Sequence, residues 1–319
     1  MQTSKLPVIF LLGPTASGKT DWAIAWQKKF GRIEIVSVDS VMVYKGCDIG
    51  SAKPSPETLK AHPHHLVNET SLDQIFSVAD FCETATTLIE EIHQRKNIPL
   101  LVGGSMMYFN LLKHGLSSLP SADPIFRAKL EERIDKEGIV SLHNELQTLN
   151  PEAANAIKPQ DTQRITRALE VEHLSRMSPK ILDEASSAPL SCNYQLLEYG
   201  IFPLDRAKLH ERIESRQHQL INEGLLEEVE GLNKAYQLSP EHPAMKAVNY
   251  RQAQQVLNGE LQESELFERS LYATRQLAKR QCTWLRGWQG LKTYNLDELN
   301  QASEELEKHH TLLDQLSVR

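Results

Sequence analysis

The stretch FLLGPTASGKTDWAIAW, Phe10 to Trp26, decides the fold: an apolar strand breaks into glycine and small residues, then resumes as an amphipathic helix. Within it Gly13, Pro14, Thr15, Ala16, Ser17, Gly18, Lys19 and Thr20 fit the phosphate-loop pattern, two glycines separated by four residues and followed by Lys and a hydroxyl residue. Glycines let backbone N–H groups turn toward phosphate oxygens, and the helix N-terminus adds the positive end of its dipole. Lys19 adds a charge, and Thr20 is suited to hold Mg2+. What remains open is which phosphorylated ligand the loop serves.

Outward from the loop, Ile33 to Val38 is a β-branched run ending at Asp39, and Ile98 to Val102 ends at Gly103-Gly104. QLLEYGIF, residues 195–202, reads as a further strand. Strands alternating with helical patterns predict an α/β fold, a P-loop NTPase-like core with a parallel sheet flanked by helices and its reactive groups at the strand C-terminal ends. Gly13, Asp39 and Gly103 all fall at such ends. From Ser121 to Pro189 strand signals stop and charged helical patterns follow, punctuated by Pro124, Pro151 and Pro159 after an opening Pro120. This predicts a helical insertion at 121–189 within a core of 1–120 and 190–319, the insertion closing in loop chemistry at SSAPLSC. Leu209, Ile213, Leu220, Ile221, Leu225, Val229 and Leu232 then recur at helical spacing and predict one long amphipathic helix.

The 319 residues are 40% hydrophobic and 24% charged, the range of ordinary globular proteins. The N-terminus shows no signal-peptide pattern and no stretch approaches a membrane span, so a cytoplasmic protein without a membrane partner is expected; a monomer is a separate expectation. Four cysteines without a CxxC pair indicate neither zinc nor disulfides, and His62, His64 and His65 around Pro63 read as a loop. The net charge of −7 conceals segregation: Arg275, Lys279, Arg280 and Arg286 form a basic run, whereas the chain after Tyr294 is acidic. Arg212 and Arg216, and likewise Arg164 and Arg167, share helix faces and are candidates for a second anionic partner. The Leu100–Val102 strand lacks the terminal acid of nucleotide hydrolases, and no NKxD motif occurs, which leaves Asp39 as the carboxylate beside the loop. From the residues alone a small-molecule kinase with a lid, or an RNA-binding protein gated by nucleotide, fits as well.

Five ordered phrases, GPTASGKT, SVDSVMVYKGCDIGSAKP, PLLVGGSMMYF, QRITRALEV and ATRQLAKRQCTWLRGW, together resemble the bacterial tRNA dimethylallyltransferases from about Leu6 to Trp288. The resemblance implies that the loop binds dimethylallyl diphosphate rather than ATP, with Mg2+. It implies transfer of the prenyl group to the exocyclic amine of the adenosine 3′ to the anticodon, and an insertion domain that contacts the tRNA anticodon stem-loop. It assigns Asp39 as proton acceptor, and Lys19, Thr20, Ser105 and Arg216 as further catalytic groups, with Arg216 on the diphosphate. It places Asp39, Ser40, Val41, Met42, Ser105, Arg127, Gln163, Arg164, Ile165, Thr166 and Arg167 on the tRNA side. Lys246, Ala247, Val248, Asn249, Tyr250, Arg251, Lys279, Arg280, Gln281, Cys282, Thr283, Trp284, Leu285 and Arg286 join them.

Two departures stand out. Where the family reads GGT this chain has Gly103-Gly104-Ser105, which keeps the hydroxyl. Where the family reads Arg-Cys-Val-Gly-Tyr-Arg it has Lys246 to Arg251, with lysine for the planar fork of arginine and Asn249 where glycine is usual, a residue that tolerates positive φ better than most while still adding a side chain.

Overall fold

The computed structural model describes residues 5–116, 123–177, 188–239 and 242–309. The chain divides into two compact units, Met1–His114 with Pro189–Arg319, and Gly115–Ala188. In the first, chain order runs Leu6–Leu12 (β1), Lys19–Phe30 (α1), Ile33–Val38 (β2), Pro56–Ala61 (α2), His64–His65 (β3), Val78–Gln94 (α3), Ile98–Gly103 (β4) and Met106–His114 (α4). The second unit holds Pro124–Glu137 (α5), Ile139–Leu149 (α6), Pro151–Ala156 (α7) and Thr162–Met177 (α8). The first unit then resumes with Leu190–Asn193 (α9), Tyr194–Ile201 (β5), Arg206–Asn222 (α10), Leu225–Tyr236 (α11), Tyr250–Leu257 (α12), Leu266–Gly287 (α13), Lys292–Tyr294 (β6) and Leu299–Glu307 (α14).

The six strands form one sheet in the order β3-β2-β4-β1-β5-β6, every pairing parallel. Because parallel strands need crossovers, helices cover both faces and the central strand is apolar throughout: Val8 to Leu12 are fully buried. On one face Trp22 and Trp26 of α1 pack with Ile9, Leu11, Ile35 and Leu100. Trp26 Nε1 donates to Ser303 Oγ at 2.9 Å and so ties α14 to the same layer. On the other face Phe10 meets Phe109 of α4 with ring centroids 5.0 Å apart.

Register brings the site together. Leu12 and Val38 both lie opposite Gly103, so the next residues, Gly13, Asp39 and Gly104, leave the sheet at one level along its C-terminal edge. The approach is close: a Cβ on Gly103 would stand 2.0 Å from the Val38 carbonyl oxygen.

Four details differ from the sequence expectation. The predicted helix from Leu209 to Leu232 is two helices, broken at Gly224 with φ 97°, a backbone that glycine adopts without penalty. Leu220, Ile221 and Leu225 keep helical spacing across the break, which hides it from periodicity. His64 and His65, read as loop, pair with Ile35 and Val36 of β2. The edge strand β6 is too short and polar to carry a signal, and LSCN, read as loop, is the single turn α9. Residues 117–122 and 178–187, where Pro120, the expected start of the insertion at 121 and Ser186-Ser187 fall, lie outside the described residues.

The second unit has its own core of Leu130, Leu142, Leu146, Ala154, Ile165 and Leu169. Replacing Gly103 with alanine forces the β2 and β4 backbones apart. We predict a loss of about 1–3 kcal/mol in denaturant unfolding, the usual cost of overpacking; an unchanged midpoint would show that the sheet accommodates the methyl group.

Candidate active site

A cavity of about 410 Å³ opens at the C-terminal edge of the sheet, lined by Thr15, Ala16, Lys19 and Thr20 from the phosphate loop and by Asp39 to Met42 after β2. Its wall continues through Gly103 to Ser105, Arg216 and Gln217 of α10, residues 50–52, Lys246 to Tyr250, and Arg280 and Gln281 of α13. Residues from seven separate segments of sequence therefore converge.

The loop passes from β1 through Ala16 at φ 60° and Gly18 at φ 84° into α1, whose first residue is Lys19. Lys19 Nζ donates to the Pro14 carbonyl at 2.6 Å, folding the ammonium back over the loop. Burial, and then the Arg216 guanidinium, push the Lys19 ammonium down to about 7, against the opposing pull of Asp39. Arg216 is likewise lowered by burial, with Asp39 and Asp21 acting the other way. Two cations thus face one carboxylate in a desolvated pocket, an arrangement that a polyanionic ligand would complete. Asp39 is aimed by its own turn: Oδ1 accepts from Val41 N at 2.9 Å and from Met42 N at 3.1 Å.

Gln281 has a different role from the one its segment suggested. From α13 it turns inward, buried, accepting from Thr15 N at 2.9 Å and donating to the Gly104 carbonyl at 3.0 Å. It latches the phosphate loop to the end of β4, beside Ser105. Asn249 sits at φ 75° and ψ -53° at the start of α12, a positive-φ backbone outside the left-handed helical well, and Nδ2 donates to the Gly50 carbonyl at 2.9 Å.

Other predicted residues fall elsewhere. Lys279, Arg280, Thr283, Trp284 and Arg286 are exposed along α13, and Thr283 and Trp284 border a second cavity of about 500 Å³ beside Lys113 and Trp288. Cys282 and Leu285 are buried, so their side chains build the fold rather than meet a partner. The same correction applies to Ile165, which is in the core of the second unit. Arg275 of the basic run pairs with Glu214 at 2.7 Å, and the Arg286 guanidinium lies 5.4 Å from the Phe202 ring centroid. In the second unit Gln163 and Arg164 are exposed. Arg127 and Arg167 both bind the buried Glu170 carboxylate, Arg127 through bonds of 2.9 and 3.0 Å. The histidines have protein partners: His62 bonds Gln27 at 2.6 Å, His64 the His62 carbonyl at 2.6 Å, and His65 Glu34 at 2.8 Å.

Residues 42–288 match the IPP transferase family. The chain belongs to that family. IPP transferases are prenyl-transferring enzymes, and a phosphate loop facing a carboxylate and an arginine in one cavity is consistent with such chemistry. The structure is similar to that of a full-length tRNA isopentenylpyrophosphate transferase from Bacillus halodurans, at 32% identity over 98% of both chains and a TM-score of 0.68. It is also similar to a tRNA delta(2)-isopentenylpyrophosphate transferase from Staphylococcus epidermidis, at 29% identity over 96% of this chain and 100% of that one, TM-score 0.66. A eukaryotic dimethylallyltransferase acting on tRNA shares the fold at 23% identity, covering 98% of this chain and 80% of its own, TM-score 0.74. Among the described residues no helix is long and apolar enough to cross a membrane.

Sequence reading missed the inward turn of Gln281 and also Glu228, whose carboxylate binds the loop at residues 48–50. Glu228 carried a signal: it lies three residues after Leu225 and four before Leu232, an acid on the apolar face of α11.

The Lys19 shift sets a pH dependence. Free protein loses the Lys19 proton above about 7, and a bound anion favours the protonated form, so binding above that pH must take up a proton. Inorganic diphosphate affinity, taken as the ratio of wild type to Lys19→Met so that the ligand's own ionisation cancels, should fall by up to about tenfold per pH unit above the pKa. A flat ratio from pH 6 to 9 would contradict a lysine that titrates there.

Proposed function

We propose that the chain transfers a dimethylallyl group from dimethylallyl diphosphate to the exocyclic amine of the adenosine 3′ to the anticodon in tRNA, releasing diphosphate. The observation that carries this reading is the meeting of Asp39 with Lys19 and Arg216 in one cavity, a proton acceptor placed against a cationic end. The Bacillus and Staphylococcus relatives, named as tRNA isopentenylpyrophosphate transferases, supply the acceptor class.

In the reaction the amine nitrogen bonds to the prenyl C1 as the C1–O bond to diphosphate breaks, and the amine proton passes to the Asp39 carboxylate. Lys19, Arg216 and the loop amides neutralise the charge that grows on the departing diphosphate. The adenosine is drawn from its stack in the single-stranded loop to reach the cavity, where unstacking costs least. Ser40 to Met42, Ser105, Lys246 to Val248 and Arg251 are the proposed contacts on its approach side, with Lys279, Arg280, Thr283, Trp284 and Arg286 along α13, whereas the buried Asn249 and Tyr250 hold the cavity wall. In the second unit Arg127, Gln163, Arg164, Thr166 and Arg167 are the further contacts.

The donor set suits magnesium that arrives on a diphosphate. Thr20 lines the cavity, and among the described residues no cluster of three or more His, Cys, Asp or Glu gathers elsewhere to hold a cation. Mg2+ keeps several waters and phosphate oxygens and needs few protein ligands. When bound, it supplies Lewis-acid stabilisation of diphosphate charge.

Asp39→Ala should lower prenyl transfer about 10²–10⁴-fold, the usual size of a lost general base, while tRNA affinity stays within a few-fold. Single-turnover kinetics with nucleoside mass analysis measures this, and near wild-type turnover would remove Asp39 from the role. Neutralising Lys279 and Arg280 together should weaken all substrate tRNAs alike and shrink the slope of log K against log salt by about 1.4, or 0.7 per phosphate contact. Parallel salt lines would leave that face of α13 as solvated surface.

A further inference from the structure

Away from the phosphate loop, one carboxylate collects an unusual number of donors. Glu228, on the apolar face of α11, accepts from the backbone N–H of Asp48 at 3.0 Å, Ile49 at 2.6 Å and Gly50 at 3.0 Å, and from the Tyr250 hydroxyl at 2.7 Å. Three consecutive amides turned on one anion form the nest geometry usually met around a bound phosphate, here closed by a side chain of the protein itself. Tyr250 is fully buried, and its oxygen accepts in turn from Ser51 N at 3.2 Å.

What this nest holds in place is the neighbouring Ala52, at φ 54°, a conformation that costs free energy for a residue with a Cβ and persists only where its surroundings enforce it. Ala52 N donates back to the Ile49 carbonyl at 2.8 Å, inside the stretch that Glu228 clamps. The Ala52 carbonyl accepts from Arg216 Nη2 at 3.1 Å. On the other side, the Gly50 carbonyl takes Asn249 Nδ2 at 2.9 Å. Residues 50–52 and Asn249 all line the cavity.

We infer that Glu228 is a positioning residue for the transfer reaction: by holding residues 48–52 it fixes the carbonyl that aims Arg216 at the diphosphate. The carboxylate is required, because all four groups around it are donors and an amide would turn its own NH2 against one or two of them. Glu228 touches neither substrate in this account and acts through Ala52 and Arg216. The inference rests on the proposed role of Arg216 at the diphosphate.

The test is a double-mutant cycle read by calorimetric titration of inorganic diphosphate with Mg2+ into wild type, Glu228→Gln, Arg216→Ala and the double variant, after thermal melts show that each is folded. Glu228→Gln should weaken binding by about tenfold, the size of lost hydrogen bonds to a charged group. In the Arg216→Ala background the same change should cost less than about twofold, because the residue it positions is gone. A purely structural Glu228 would give additive losses, or none in either background, and either result overturns the inference. If Glu228→Gln does not fold, Tyr250→Phe, which removes one of the four donors, must show the same non-additivity in smaller measure. Should Arg216→Ala leave diphosphate affinity intact, the functional reading of Arg216 fails first, an outcome distinct from an additive cycle.

Discussion

The β4 backbone passes the Val38 carbonyl at a distance that leaves no room for a side chain at Gly103, and the site is built on that contact. Asp39 follows Val38 directly, Gly104 and Ser105 follow Gly103, and Ser105 N reaches back to the Val38 carbonyl at 3.4 Å. On the far side of β4, Gly13 N donates to the Gly103 carbonyl at 3.3 Å, so the phosphate loop leaves from the same point. Three strand ends are thereby held within one cavity before any side chain acts. Gln281 then spans the remaining gap between loop and β4.

On this frame the electrostatics are deliberately incomplete. Lys19 is depressed by burial and then by Arg216, Arg216 by burial with a smaller push from Arg212, and Asp39 offsets only part of that cost. A diphosphate would supply the missing negative charge, restore the Lys19 proton and leave Asp39 free to face the acceptor. The net charge of −7 is no obstacle, because the acidic residues lie mostly elsewhere and local potential governs what enters a cleft.

The parallel sheet was legible because β1, β2, β4 and β5 are apolar runs bounded by turn residues, and the phosphate loop because its glycine spacing has one mechanical use. The helix from Leu209 to Leu232 was misread for a physical reason: Gly224 breaks the backbone without breaking the apolar rhythm. Two-residue β3 and three-residue β6 are set by pairing to neighbours, which local sequence does not contain. Within the site, Asp39, Lys19 and Arg216 could be named from motif position. Long-range hydrogen bonds were invisible to spacing: Gln281 sits 266 residues from Thr15, and Glu228 is 179 residues from Ile49. The insertion's Glu170 escaped notice because its partner Arg127 lies 43 residues away, although Arg167 stands one helical turn before it.

The central claim is that this phosphate loop serves a prenyl diphosphate rather than a nucleoside triphosphate. Calorimetric titration of the wild-type protein with dimethylallyl diphosphate and with ATP, each with Mg2+ at one pH and salt concentration, tests it directly. The account predicts that dimethylallyl diphosphate binds far more tightly than ATP. Tighter binding of ATP would contradict it and return the chain to nucleotide chemistry.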